Sequence, residues 1–269
     1  MRAPAPPPCV HRFRPRTDMP DTLSPLLAAI AIAVFVLAGF VKGVIGLGLP
    51  TISIGLLSLV MPPAQAAALL VVPSLLTNVW QIAGAGWGAL LRRLATLLVG
   101  LCVGVALGAA AFGGIGGRAA GLLLGVALVA YALLSLKAWR PRVAPGAERW
   151  ASPLVGVATG LVTAATGVFV IPAVPYLQAL GLAKDELVRA LGLSFLVATV
   201  ALAASLGHGG ALGAPQAIAS LLAVPPALVG MGLGQWLRGR LAPETFRRWF
   251  LLGLLALGAW LVARGLAGL

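Results

Sequence analysis

The stretch Gly39-Phe40-Val41-Lys42-Gly43-Val44-Ile45-Gly46-Leu47-Gly48-Leu49-Pro50 sets one lysine among four glycines at the end of a long apolar run. An ammonium in apolar surroundings costs about 2.5–3.5 kcal/mol on membrane-insertion scales, so such a group usually faces a cavity or the protein interior and has a task. Its chemistry is that of a compact positive charge with three hydrogen-bond donors, suited to holding an anion. Gly43, Gly46 and Gly48 would let backbone amides at the start of a half-helix face the same ligand. The competing reading has Lys42 near the membrane surface, snorkelling to headgroups, with the glycines serving as small faces for helix packing.

A second glycine-bearing break reads Gly160-Leu161-Val162-Thr163-Ala164-Ala165-Thr166-Gly167-Val168-Phe169-Val170-Ile171-Pro172. Thr163, Thr166 and the amide of Gly167 are candidate hydrogen-bond donors to that ligand, although a threonine in a membrane helix often bonds its own preceding turn. Ser74, Thr77, Asn78 and Gln81 recur at helical spacing on one face as candidates to complete the pocket, Asn78 among the substrate-binding residues, with joining of neighbouring helices the competing role, and Ser194 and Thr199 stand in the corresponding run. The acidic residues are Asp18, Asp21, Glu148, Asp185, Glu186 and Glu244, every one in a tail or at a loop. With no carboxylate inside an apolar run, the interior chemistry favours an anion over a cation or a carboxylate proton relay. No catalytic set, metal site or cofactor motif emerges: Cys9 and Cys102 are isolated, and His208 sits in a glycine-rich loop without a partner.

The elements that must position these groups are membrane helices. The 269 residues are 60% hydrophobic and 9% charged, against roughly 25% charged in soluble domains. The net charge of +13 gathers at the ends of apolar runs, where it meets headgroups, so the partner implied is a lipid bilayer and not nucleic acid. Apolar runs predict an all-α, polytopic bundle with about eight full spans, at 23–46, 64–84, 94–113, 118–138, 152–168, 186–207, 214–236 and 246–267. Two shorter pieces, Leu49 to Val60 and Phe169 to Leu180, read as broken or re-entrant helices. Pro73, Pro225 and Pro226 imply kinks. Residues 1–22 read as a disordered extension rich in Pro and Arg, with Met19 an alternative start.

Two halves superimpose at a constant offset of 121, pairing Gly39 with Gly160, Gly46 with Gly167 and Leu70 with Leu191. The same order of long run, short run and three long runs in each half points to a duplication: a first repeat at 23–138, a loop at 139–151 and a second repeat at 152–269. The basic loops are 84–93, 138–151 and 237–247, and Trp80, Trp87, Trp139, Trp150, Trp236 and Trp249 flank them as interfacial anchors should. These loops are expected together on the cytoplasmic side, which requires each short segment to count as a crossing. Four arginines within the first 16 positions oppose that orientation if the chain starts at Met1.

At these breaks the chain resembles the sulfite exporter TauE/SafE family, also described as sulfonate uptake permeases. The matching pieces are GFVKGVIGLGLP at 39–50 and GLVTAATGVFVIPAVPYLQALGLAKDELVRALGLSF at 160–195, and the likeness extends over roughly residues 24 to 267. Many family members carry more glycine in the second break than Thr163 to Phe169 does here. The resemblance implies a multi-pass permease of the bacterial inner membrane that moves small sulfur-containing anions such as sulfite or sulfonates. The reading weighed highest is therefore a secondary carrier of small anions. Its rivals are a membrane-embedded enzyme, for which a nucleophile with its base is missing, and a scaffold, which the broken helices argue against.

Overall fold

The computed structural model describes residues 25–83, 86–113, 115, 119–137, 142–144, 146–238, 240 and 243–267. The N-terminal extension, Met19, Trp139 and Arg140 lie outside them. The described residues form eleven helices and no strand: α1 (Pro25–Ile45), α2 (Leu49–Leu57), α3 (Pro63–Ile82), α4 (Trp87–Phe112), α5 (Ala120–Leu136), α6 (Glu148–Thr166), α7 (Ala173–Ala179), α8 (Lys184–His208), α9 (Ala214–Leu222), α10 (Val224–Arg238) and α11 (Pro243–Ala267).

Six stretches are long and apolar enough to cross a bilayer: α1, α3, α4, α8, α9 with α10 taken together, and α11. Helices stand at the other two expected runs as well, α5 and α6, but outside that set. Helix α5 is short at 17 residues, while α6 opens on Glu148 and Arg149 and carries Ser152, Thr159, Thr163 and Thr166. The run expected at 214–236 is divided at Ala223, because Pro225 and Pro226 offer no N–H to the carbonyls of the preceding turn. His208 closes α8 instead of lying in a loop.

Glycine decides which helices touch. A methyl group on Gly39 would stand 2.1 Å from the carbonyl oxygen of Ala227, and one on Gly230 would stand 2.0 Å from that of Val36, so α1 and α10 meet backbone to backbone. Helices α4 and α6 do the same, Gly104 facing Val157 O and Gly160 facing Leu101 O, each at 2.2 Å. Small residues at four-residue spacing permit this approach, and in lipid such packing replaces the hydrophobic drive available in water.

The centre is built on α3 and α8, which run antiparallel, Gln81 lying against Gly192 and Ser74 against Thr199. Short helices α2 and α7 are almost wholly buried beside them. Irregular backbone at this depth is tolerated because protein, not lipid, surrounds it. Gly46 and Gly48 take φ of +78° and +113°, a turn that suits glycine, and Pro50 stands in the first turn of α2, where its missing N–H costs no helix bond.

The ends of the bundle are fixed by polar contacts. At one end Arg93 on α4 forms a two-point ion pair with Glu148 on α6, at 2.8 and 2.9 Å, and Arg247 on α11 donates to the Ser135 carbonyl of α5 at 3.3 Å. Trp80, Trp87, Trp150, Trp236 and Trp249, all exposed, flank the same connections. At the other end Arg264 donates to the Leu59 carbonyl at 3.1 Å, joining the end of α11 to the turn after α2. The segment containing α2 therefore runs from end to end: its start is tied by Gln81 to α8, and its finish lies beside Arg264. The segment containing α7 runs back the other way, from Gly167 near Ala67 to Ala179, whose carbonyl accepts from Val143 N–H at 3.0 Å. Both short segments traverse the bundle and do not re-enter on one face. It follows that single cysteines placed in 84–93, 138–151 and 237–247 will react with an impermeant thiol reagent from the same side of the membrane in all three cases; labelling of one loop from the opposite side would contradict this topology.

Candidate functional site

Helix α1 ends one turn after Lys42, and its contact with α10 through Gly39 and Gly43 holds the lysine on a surface that faces α3. Lys42 is only 4% exposed, which excludes the snorkelling arrangement. Its Nζ donates to Thr77 Oγ1 at 3.0 Å and to Asn78 Oδ1.

The cluster has a consistent hydrogen-bond direction. Thr77 gives its own proton to the Pro73 carbonyl at 2.7 Å, leaving its oxygen to accept from the ammonium. Asn78 turns its oxygen to Lys42, so its Nδ2 donates to Ser74 Oγ at 3.1 Å. Thr199 on α8 donates to the Phe195 carbonyl at 2.6 Å, so Ser74 donates to Thr199, 2.9 Å away. Ser74, Thr77, Asn78 and Thr199 are fully buried. Gln81 closes the cluster toward the nearer end, its Nε2 bridging Gly46 O at 3.0 Å and Val188 O at 2.9 Å.

Every one of these partners is neutral. The described carboxylates Glu148, Asp185, Glu186 and Glu244 lie in the first turns of α6, α8 and α11. When protonated, an amine buried with hydrogen bonds but no counter-charge holds an electrostatic attraction that an anion satisfies, and two hydrogen bonds occupy two of its three donors.

The other expected members of the shell are placed elsewhere. Thr163 and Thr166 each donate to the carbonyl four residues earlier at 2.7 Å, and Thr166 Oγ1 accepts from Val168 N–H, so these hydroxyls shape the end of α6. Gly167 sits against Ile54 and Ala67. Ala67 is ten residues before Thr77 on α3, about 15 Å along the axis at 1.5 Å per residue, so the second break is not brought to the ammonium. The amides of Gly46 and Gly167 bond the carbonyls of Lys42 and Thr163, at 2.8 and 2.7 Å. Gly43 is held against Met231 O. Gly48 acts through its backbone turn and accepts from Thr51 Oγ1. Ser194 is buried with its hydroxyl unpartnered, on a different face of α8 from Gly192 and Thr199. Gln81, grouped in the sequence with the polar face, is here a clasp between main chains.

Lys42 lines neither of the two cavities described. The larger, about 650 Å³, opens at the far end beside Ser58, Gly121 and Arg264. The smaller, about 160 Å³, lies beside Arg93, Glu186 and Arg189 at the near end. In this conformation the Lys42 cluster is occluded. A counter-charge supplied within the protein is therefore expected to stabilise it: Asn78→Asp will raise the melting temperature in detergent, and Asn78→Leu will lower stability by about 2–3 kcal/mol by stripping a bond from a buried charge. No gain from the carboxylate would contradict a charged Lys42.

No curated protein and no solved structure matches the chain. The family profile of the sulfite exporter TauE/SafE matches residues 31–261. That span takes in α2 to α10 whole and most of α1 and α11, with the Lys42 break and the α3 face that receives it. The chain belongs to the sulfite exporter TauE/SafE family of membrane transporters.

Proposed function

We propose that this protein is a secondary carrier of small anions, sulfite, sulfonates or related organosulfur anions, in the bacterial inner membrane, with the loops at 84–93, 138–151 and 237–247 in the cytoplasm. The observation that carries the reading is the buried Lys42 amine with only neutral partners, and the reading takes it as protonated. A passing anion supplies the missing charge, and the third N–H of Lys42 together with the Asn78 amide addresses its oxygens. Chemical catalysis, metals and cofactors have no part in this reading.

Alternating access follows from two halves of opposite orientation. Supporting this, the contacts of α1 with α10 have counterparts in those of α6 with α4: Val36 and Val157, at the 121 offset, each receive a glycine of the partner helix, Gly230 and Gly104. Gly43, Gly46, Gly48, Thr163, Thr166 and Gly167 belong to the two breaks about which the halves change shape, while Lys42 and Asn78 meet the anion. In proteoliposomes, wild-type protein will accumulate labelled sulfite. Lys42→Met will reduce uptake at least about 100-fold with insertion intact, and Lys42→Arg will keep part of it, since a planar guanidinium preserves charge but not geometry. Wild-type uptake by Lys42→Met would show that the anion does not use this site.

A further inference from the structure

Pro73 lies inside α3 one residue before Ser74 and four before Thr77. A proline in a helix withholds an N–H from the carbonyl four residues back, here Leu69 O, and its ring pushes that turn open. In a membrane such a defect has to be satisfied by neighbouring protein. The group that satisfies it is Ser220 of α9, whose Oγ donates to Leu69 O at 2.9 Å and accepts from Val72 N–H at 2.9 Å. One hydroxyl thereby closes both sides of the opened turn. Ser220 is fully buried, and it is the one buried residue among the nine of α9. A helix that otherwise shows its residues to the surroundings or half-buries them sends a single serine into the core, against the backbone next to Pro73.

The turn that follows builds the Lys42 cluster. The Pro73 carbonyl takes the Thr77 proton, which leaves the Thr77 oxygen free for Lys42; Ser74 takes the Asn78 amide, which turns the Asn78 oxygen to Lys42. Ser220 also stands three residues before Ala223, where α9 gives way to α10, and the Ala223 N–H bonds the Ser220 carbonyl at 3.2 Å. Helix α10 in turn is locked to α1, which carries Lys42. The serine thus connects to the cluster from both directions, through α3 to Thr77 and Asn78 and through α10 to the lysine.

We propose that Ser220 is a positioning residue of the transport site, which holds the Pro73 kink at the angle that presents Thr77 and Asn78 to Lys42. It touches no substrate. The proposal rests on the reading of Lys42 as the anion site, and the kink, not mere satisfaction of the backbone, is what it makes functional. Replacing Pro73 by alanine returns an N–H to Leu69 O and removes the need for Ser220, but it also straightens α3. Stability and substrate handling are therefore separable.

The test measures melting temperature and the KM for labelled sulfite in proteoliposomes for Ser220→Ala, Pro73→Ala and the double variant. Ser220→Ala will lower the melting temperature and raise KM about tenfold. The double variant will recover the melting temperature while KM stays raised, because the backbone is satisfied and the kink is lost. Pro73→Ala alone will raise KM as well, and it decides the matter if Ser220→Ala fails to reach the membrane. An unchanged KM in Ser220→Ala or Pro73→Ala overturns the proposal. So does a double variant that recovers KM together with stability, which would make Ser220 a backbone filler, or one that recovers neither, in which case Leu69 O is not the group Ser220 serves. Lys42→Met beside them reports on the site alone: wild-type uptake by it withdraws the Lys42 reading, while the recovery of melting temperature still measures the Ser220 bridge.

Discussion

A protonated amine in a membrane protein's interior must be solvated by something, and around Lys42 that something is α3. The ammonium bonds Thr77 and Asn78, whose own second bonds run to Pro73, Ser74 and then Thr199 of α8. Helix α1 reaches α3 here through the length of the lysine side chain, and α3 has to hold its polar turn toward it. Removing one partner of a buried charge typically costs several kcal/mol, whereas adding a counter-charge relieves the whole cluster. Protein oxygens solvate the lysine without neutralising it, and the proposed anion site rests on that.

The remainder of the bundle supplies rigidity on either side of that contact. Backbone-to-backbone seams between α1 and α10 and between α4 and α6 leave no room for even a methyl group at Gly39, Gly104, Gly160 or Gly230. Two stiff pairs thereby flank the antiparallel centre of α3 and α8. The broken backbone at Gly46 to Gly48 and at Gly167 lies in the interior between them, where Gln81 and Thr166 tie the loose ends. A transporter needs parts that stay rigid and joints that turn, and here the two are segregated by residue type: glycine stripes within the paired helices, and positive-φ glycines at the breaks.

Much of this was legible in the sequence because bilayers impose simple rules. Apolar run length and the basic, tryptophan-flanked loops marked the helices and grouped the connections that Arg93, Glu148, Arg247 and Ser135 now tie to one end. Lys42 and Asn78 stood out as polar groups in costly places. Distance between segments was not legible. The 121 offset between Lys42 and Thr163 suggested a shared shell, yet the first break lies beside Gln81 and the second beside Ala67, at opposite parts of α3, and Thr163 and Thr166 spend their protons on their own helix. Pro73 announced that a carbonyl would need a partner, but nothing local to Ser220 marked it among the serines as the one that answers. The division of α9 from α10 was signalled by Pro225 and Pro226, while the traverse of α2 and α7 depends on the non-helical residues around them, which add a length the short apolar pieces did not reveal.

The most direct test of the account is an electron cryo-microscopy map of the protein in lipid nanodiscs with saturating sulfite. It predicts density for the anion about 3 Å from Lys42 Nζ, at hydrogen-bond distance and on the side of the Asn78 amide. A map that keeps Lys42 on Thr77 and Asn78 with no added density there, and places sulfite instead in the cavity beside Arg264, would contradict it.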